Sequence, residues 1–243
     1  MEKIKRRDRT TTYINPDQIK RVPQRHEFFS RAQFGDLGEA PQRESIGWRH
    51  CNKEPFSSSL CVSLIEGVPL QYGNPAQIRA PQSENREGNT KAIKALCHYL
   101  GADLVGICSL QDHMFYSHNH AGEPIDPYHK NAIIVAIDQG QETMAGSCGD
   151  DWISSAQSMV GYMRGGLVTG VVAEHIRRMG WAARTHTMID EDVLHIPILL
   201  NAGLGELSRI GELVLNPFLG PRHKCTVITT DLPLQTDKPV DFG

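Results

Sequence analysis

None of the six cysteines, Cys51, Cys61, Cys97, Cys108, Cys148 and Cys225, stands in a CxxC pair. A cysteine-ligated zinc or iron–sulfur site within this chain is therefore not expected. A chain of this size does not need disulfide staples, so the thiols read as reduced and mostly buried. Long apolar runs are missing too. The longest apolar stretch, around Tyr162, is broken by Arg164, Glu174, His175, Arg177 and Arg178. A membrane span of about 20 residues does not tolerate that many charges. Arg6 and Arg7 make a twin arginine, but Thr10 to Lys20 is polar where an export signal needs an apolar segment. The pair reads as basic residues clustered in a terminal arm. A net charge of -3 gives no global attraction to nucleic acid or to an anionic membrane. No GxGxxG follows a strand, which excludes a Rossmann nucleotide site.

What is present suits one sizeable domain with an arm. The 243 residues are 40% hydrophobic and 22% charged, ordinary for a globular chain. Residues 1–85 mix charges with prolines, and their best apolar run is Leu60 to Ile65. They read as an arm of loops and short elements, anchored by Phe28, Phe29, Phe34 and Trp48. Residues 86–243 carry the periodic patterns. Asn89 caps a predicted helix over 90–100, stopped by Gly101. Residues 102–110 and 130–137 read as strands, the second apolar throughout and so covered on both faces. A long helix is predicted over 154–179 with Gly180 as its stop, then a strand at 181–187. Pro197 opens a short helix capped by Gly203, and strands follow at 213–215 and 225–230. Helices interleaved with apolar strands give an α/β (α+β) layered domain.

Two features carry chemistry. In the long helix, Tyr162, Gly165, Gly166, Thr169 and Gly170 follow i, i+3, i+4, i+7, i+8 spacing and share a face. Each mid-helix glycine costs about 1 kcal/mol relative to alanine. Either a close backbone crossing or a flat ligand accounts for them. Lys224 opens an apolar strand. It is either an edge charge in solvent or a cation aimed at a cleft. Beside Tyr162 it would lower the phenol's pKa and make it a better proton donor. Gly203, Gly205 and Gly211 can form an anion- or amide-binding loop or, for Gly203, a plain helix cap. His113, His118, His120 and His129 lack a regular metal-ligand spacing and read as a polar loop.

The runs Gly161-Tyr162-Met163-Arg164, Ala202 to Gly211, Leu215-Asn216-Pro217, Gly220-Pro221-Arg222, Thr229 to Leu234 and Asp237-Lys238-Pro239 resemble the corrinoid-dependent reductive dehalogenases. The resemblance implies a nitroreductase-like core that binds cobalamin. It also implies a halogenated substrate, an aromatic one above all, and replacement of carbon–halogen by carbon–hydrogen. Tyr162 would be the proton donor, assisted by Lys224. Gly165, Gly166, Gly170, Gly203, Gly205 and Arg222 would contact the corrinoid. A lysine at position 224 looks like the catabolic, cytoplasmic members. The family's two [4Fe–4S] clusters and its electron donor, a ferredoxin, flavodoxin or reductase, would involve residues after Gly243, so the chain reads as a portion ending before that module. A corrinoid-trafficking module without redox activity and an epoxyqueuosine-reductase-like enzyme are the alternatives.

Overall fold

A computed structural model describes residues 4–15, 17–49, 55–148 and 152–243, with the backbone alone for 46–49. Cys51 and the Trp48 side chain, named above, lie outside the described residues. In chain order the elements are β1 (Lys5–Arg6), α1 (Phe28–Gln33), α2 (Glu39–Arg49), α3 (Pro55–Glu66), α4 (Arg86–Tyr99), β2 (Leu104–Ser109) and β3 (Asn131–Asp138). There follow α5 (Gln141–Gly146), α6 (Trp152–Arg178), β4 (Ala183–His186), α7 (His195–Asn201), β5 (Glu206–Leu207), β6 (Val214–Leu215), β7 (His223–Thr230) and β8 (Val240–Asp241).

The sheet is four-stranded, in the order β2-β3-β7-β4, and every neighbouring pair is antiparallel. β3 is central and buried along nearly its whole length. Its alternate side chains serve two cores. Ile133, Val135 and Ile137 pack with Ile93 of α4 and Val168, Val172 and Ile176 of α6. Ile134 and Ala136 pack with Ile198 and Leu200 of α7. Two buried faces explain the unbroken apolar run, and the three layers give the expected mixed fold.

Two readings of the sequence are corrected. The arm carries longer helices than the loops and short elements expected: Leu60, Cys61 and Leu64 lie on the buried face of the 12-residue α3, which packs on α6. α4 starts earlier than expected, because Asn85 and not Asn89 is its cap. The Asn85 side chain accepts from the Gly88 amide at 3.0 Å, while Asn89 donates to the Ser83 and Pro233 carbonyls at 2.8 and 2.9 Å. The expected glycine stops are there, with φ of +98° at Gly101, +85° at Gly180 and +68° at Gly203.

Arg6 and Arg7 also have a specific place. β1 pairs with β8, setting Lys5 opposite Asp241. Arg6 donates to the Gly203 and Lys238 carbonyls at 3.0 and 2.7 Å, and Arg7 pairs with Asp241 at 2.6 Å. The N-terminal strand thus straps the end of α7. Among the described residues, no helix is long and apolar enough to cross a membrane.

Candidate active site

β4 pairs with β7 only from Val227 to Thr230, so residues 223–226 of β7 have β3 on one side and, among the described residues, no strand on the other. Lys224 and Cys225 lie at this unpaired stretch and, by strand alternation, face opposite ways. Lys224 and Thr226 point to α6. The cause is visible in α6: a Cβ on Gly161 would lie 3.0 Å from Lys224 Cγ, and one on Gly165 would lie 2.9 Å from Thr226 Oγ1. Gly161 therefore leaves room for the lysine stem to run beside the helix. The Lys224 ammonium reaches the Tyr162 ring, with Nζ 5.2 Å from its centroid. Tyr162 itself is half-buried against the cluster of Leu60, Cys61, Ala156 and Met159.

The electrostatics differ from the expectation. Burial pushes the Tyr162 phenol well above the usual tyrosine range, with Cys225, Glu191 and Glu27 acting in the same direction. Burial also pushes the Lys224 amine down. Desolvation outweighs the lysine because the ammonium lies over the ring, and no hydrogen bond joins it to the phenol oxygen among the described residues. The phenol therefore keeps its proton at neutral pH. A proton taken from it would leave a phenolate with a poorly solvated cation beside it.

The glycines do not form one ligand floor. Gly161 and Gly165 face β7, whereas a Cβ on Gly166 would meet Leu64 at 3.4 Å and one on Gly170 would meet Leu70 at 3.4 Å. Beside each, the nearest atoms are the chain's own, so close packing accounts for them. The difference is testable by urea unfolding. Gly165→Ala is expected to destabilise by about 1–3 kcal/mol, because Thr226 must move. Gly166→Ala gains helix propensity and is expected to be neutral or stabilising by up to about 1 kcal/mol. Equal destabilisation by both would contradict this packing.

Gly203 and Gly205 are equally enclosed. A Cβ on Gly203 would lie 2.1 Å from the Lys238 carbonyl oxygen, and one on Gly205 would lie 2.4 Å from that of Leu215. Arg222 makes a paired contact with Asp138, Nε at 2.8 Å and Nη2 at 3.2 Å, which holds the Asp138 carboxyl below its usual range. These three residues hold the local backbone together. Open space adjoins Gly211 and Gly220 instead. Nearby, Ser208 Oγ and His223 Nδ1 are buried without a hydrogen-bond partner among the described residues, and Ile210 and Phe218 are exposed. A large amphipathic group with amide side chains fits that surface better than it fits the glycines predicted from sequence.

Sequence reasoning missed that Glu191, His195 and Cys225 come together. His195 opens α7, its Nε2 3.1 Å from Glu191 and its Nδ1 3.6 Å from Cys225 Sγ. Their chain positions carry no motif, which is why the sequence did not signal them. Glu191 sits between Asp190 and Asp192, both ion-paired to Arg184. Arg184 also donates to the Tyr72 and Tyr128 hydroxyls at 2.9 and 3.0 Å. A cavity of about 360 Å³ adjoins this network and includes neither Tyr162 nor Lys224. The contacts of both terminal nitrogens of Arg184 make the network a clamp on the loop between β4 and α7. Among the described residues, no group of three or more histidine, cysteine or acidic side chains is placed to hold a metal ion. His129 hydrogen-bonds Thr229 at 2.8 Å.

No family profile matches the chain. The catabolic reductive dehalogenase NpRdhA superposes on it with a TM-score of 0.93 at 46% identity, covering 100% of this chain and 35% of that one. The same enzyme in complex with 3-bromo-4-hydroxybenzoic acid gives a TM-score of 0.92 at 46% identity, with equal coverage. The tetrachloroethene reductive dehalogenase of Dehalobacter restrictus is 28% identical over 66% of this chain and 36% of its own length. The chain thus spans about a third of the length of these relatives, and it is homologous to that part of the reductive dehalogenases.

Proposed function

We propose that this relative of the reductive dehalogenases is the corrinoid-binding and substrate-facing portion of a B12-dependent enzyme that replaces carbon–halogen by carbon–hydrogen. The observation that carries this reading is the Tyr162–Lys224 pair, 5.2 Å from ring centroid to ammonium, in a chain 46% identical to a catabolic reductive dehalogenase. Tyr162 holds the proton that replaces the halogen. Lys224 steadies the phenolate left behind, and Gly161 lets it reach that position.

When bound, the corrinoid supplies the cobalt-centred redox chemistry at the halogen. Ser208 and His223, beside Gly211 and Gly220, are the residues of this chain best fitted to hold it, with Arg222 keeping its loop in place. The substrate we favour is a halogenated phenol or hydroxybenzoate, because the 46% identical enzyme was solved with 3-bromo-4-hydroxybenzoic acid. The phenolate of such a substrate would also find its counter-charge at Lys224. Iron–sulfur clusters and an electron donor belong to segments beyond this third of the relatives' length.

Titration of hydroxocobalamin onto the purified chain tests the assignment of the corrinoid. A saturable shift of its visible absorbance is expected. A folded chain that leaves the spectrum unchanged would remove the corrinoid from this portion of the protein.

A further inference from the structure

Gln157, Gly161 and Gly165 of α6 follow i, i+4, i+8 spacing and meet the sheet one after another along one helix face. Gly165 closes on Thr226. Gly161 closes on the Lys224 stem, and its Cβ position would lie 3.0 Å from Lys224 Cγ and 3.8 Å from Gln139 Cγ. Gln157 is met by Gln139, the residue after β3. Gln139 Nε2 donates to Gln157 Oε1 at 2.6 Å and to Ser158 Oγ at 3.3 Å. Both amide hydrogens of Gln139 are thus spent on α6. Its own backbone is tied on each side: the N–H donates to the Arg222 carbonyl at 3.2 Å, and the carbonyl accepts from Thr143 Oγ1. The lysine stem therefore runs in a channel walled by Gly161 and by the Gln139 side chain. Among the described residues, no carboxylate is paired with the Lys224 ammonium, so this channel and the Tyr162 ring set where it lies. The other titratable groups acting on it, His223 and Cys225, are its neighbours along β7.

We propose that Gln139 is a positioning residue for Lys224: its amide bridge to Gln157 and Ser158 holds α6 at the distance from β7 that sets the ammonium over the Tyr162 ring. The inference rests on Lys224 assisting Tyr162 in the proposed dehalogenation. The bridge stands about one helical turn before Gly161, and the contact of Gly165 with Thr226 about one turn after it. Held at both points, the helix neither tilts away from the stem nor settles onto it. A lysine stem is flexible and loses rotamer freedom when one geometry is imposed on it. With no counter-ion to draw the ammonium in, a channel of fixed width is what keeps it on the ring. The residue type fits this role. A glutamine reaches the helix with two donors and brings no charge that would pull the ammonium off the ring.

The test follows the ionisation of Lys224 and needs no cofactor. With lysine carbon-13 labelled at Cε, the shift of that carbon tracks the amine through its titration, and Lys224→Met identifies the resonance. Burial holds the amine below the ordinary lysine range. Gln157→Ala leaves the Gln139 side chain beside the stem and removes only its partner, and alanine favours the helix. The bridge is then lost, water reaches the ammonium, and the titration midpoint is expected to rise towards the ordinary value. Gln139→Met keeps the side-chain length and loses both donors, and is expected to move the midpoint the same way. An unchanged midpoint in either variant, with a native circular dichroism spectrum, overturns the proposal. If one variant does not fold, the other decides. In the complete corrinoid-loaded enzyme both variants are expected to lose roughly tenfold or more in turnover, as misplacement of a catalytic group does. Raised midpoints, combined with full turnover by Lys224→Met, would keep the bridge and refute the part given to Lys224 in the reaction.

Discussion

Gly203→Ala is expected to destabilise the chain by about 4 kcal/mol or more, a large fraction of the stability of a typical domain. The new methyl would sit 2.1 Å from the Lys238 carbonyl oxygen and 2.3 Å from Arg6 Nη1. The backbone there has φ of +68°, a region that costs a side-chain-bearing residue about 1–2 kcal/mol. Relief requires the Lys238 backbone to shift and Arg6 to leave, breaking its bonds to the Gly203 and Lys238 carbonyls. Hydrogen bonds from a charged donor contribute about 1.5–3 kcal/mol each. The sum is dominated by the strap, so Gly203→Ala and Arg6→Ala together should cost less than their separate effects combined. Urea unfolding of the parent, the two single variants and the double variant measures this. A Gly203→Ala midpoint equal to that of the parent would show that the α7 end has room that the structure denies it.

Tyr162→Phe carries the largest functional effect. Phenylalanine keeps the ring, so the packing against the Leu60, Cys61, Ala156 and Met159 cluster and the seat for the Lys224 ammonium both survive. Only the acidic proton is lost. In the complete enzyme, loaded with corrinoid and supplied with electrons, dehalogenation is expected to fall by roughly 10²–10⁴-fold with corrinoid binding unchanged. Near-normal turnover, followed by product formation, would show that the proton comes from another group.

The sheet and the main helices were legible because their patterns are local. The apolar run of β3 and the glycine stops of α4 and α6 depend on a few neighbouring residues. The helices of the arm were not legible, because α3 buries a narrow face consisting of Leu60, Cys61 and Leu64 while Val62 and Ile65 stay exposed. Proline and charge around it masked that face. Tyr162 and Lys224 were singled out from type and context, and the structure brings them together. The glycines were harder. Spacing shows that a helix face is smooth, but only the fold shows what lies against it, here Thr226, Leu64 and Leu70. The Glu191–His195–Cys225 line depends on where α7 starts relative to β7. That relation is set by tertiary packing and leaves no mark at fixed sequence spacing.

The pairing of β1 with β8 closes the chain into a ring, joining Lys5 to Asp241 across nearly its whole length. Contacts so far apart form only after the intervening elements are in place, since closing a long loop must await the gains that offset its entropy. The strap is thus a late event in folding, and what it contributes falls mainly on the rate of unfolding. Arg6 acts as a latch in time: it sets how long α7, and with it the imidazole of His195, stays in register, and has little part in how fast that register is found.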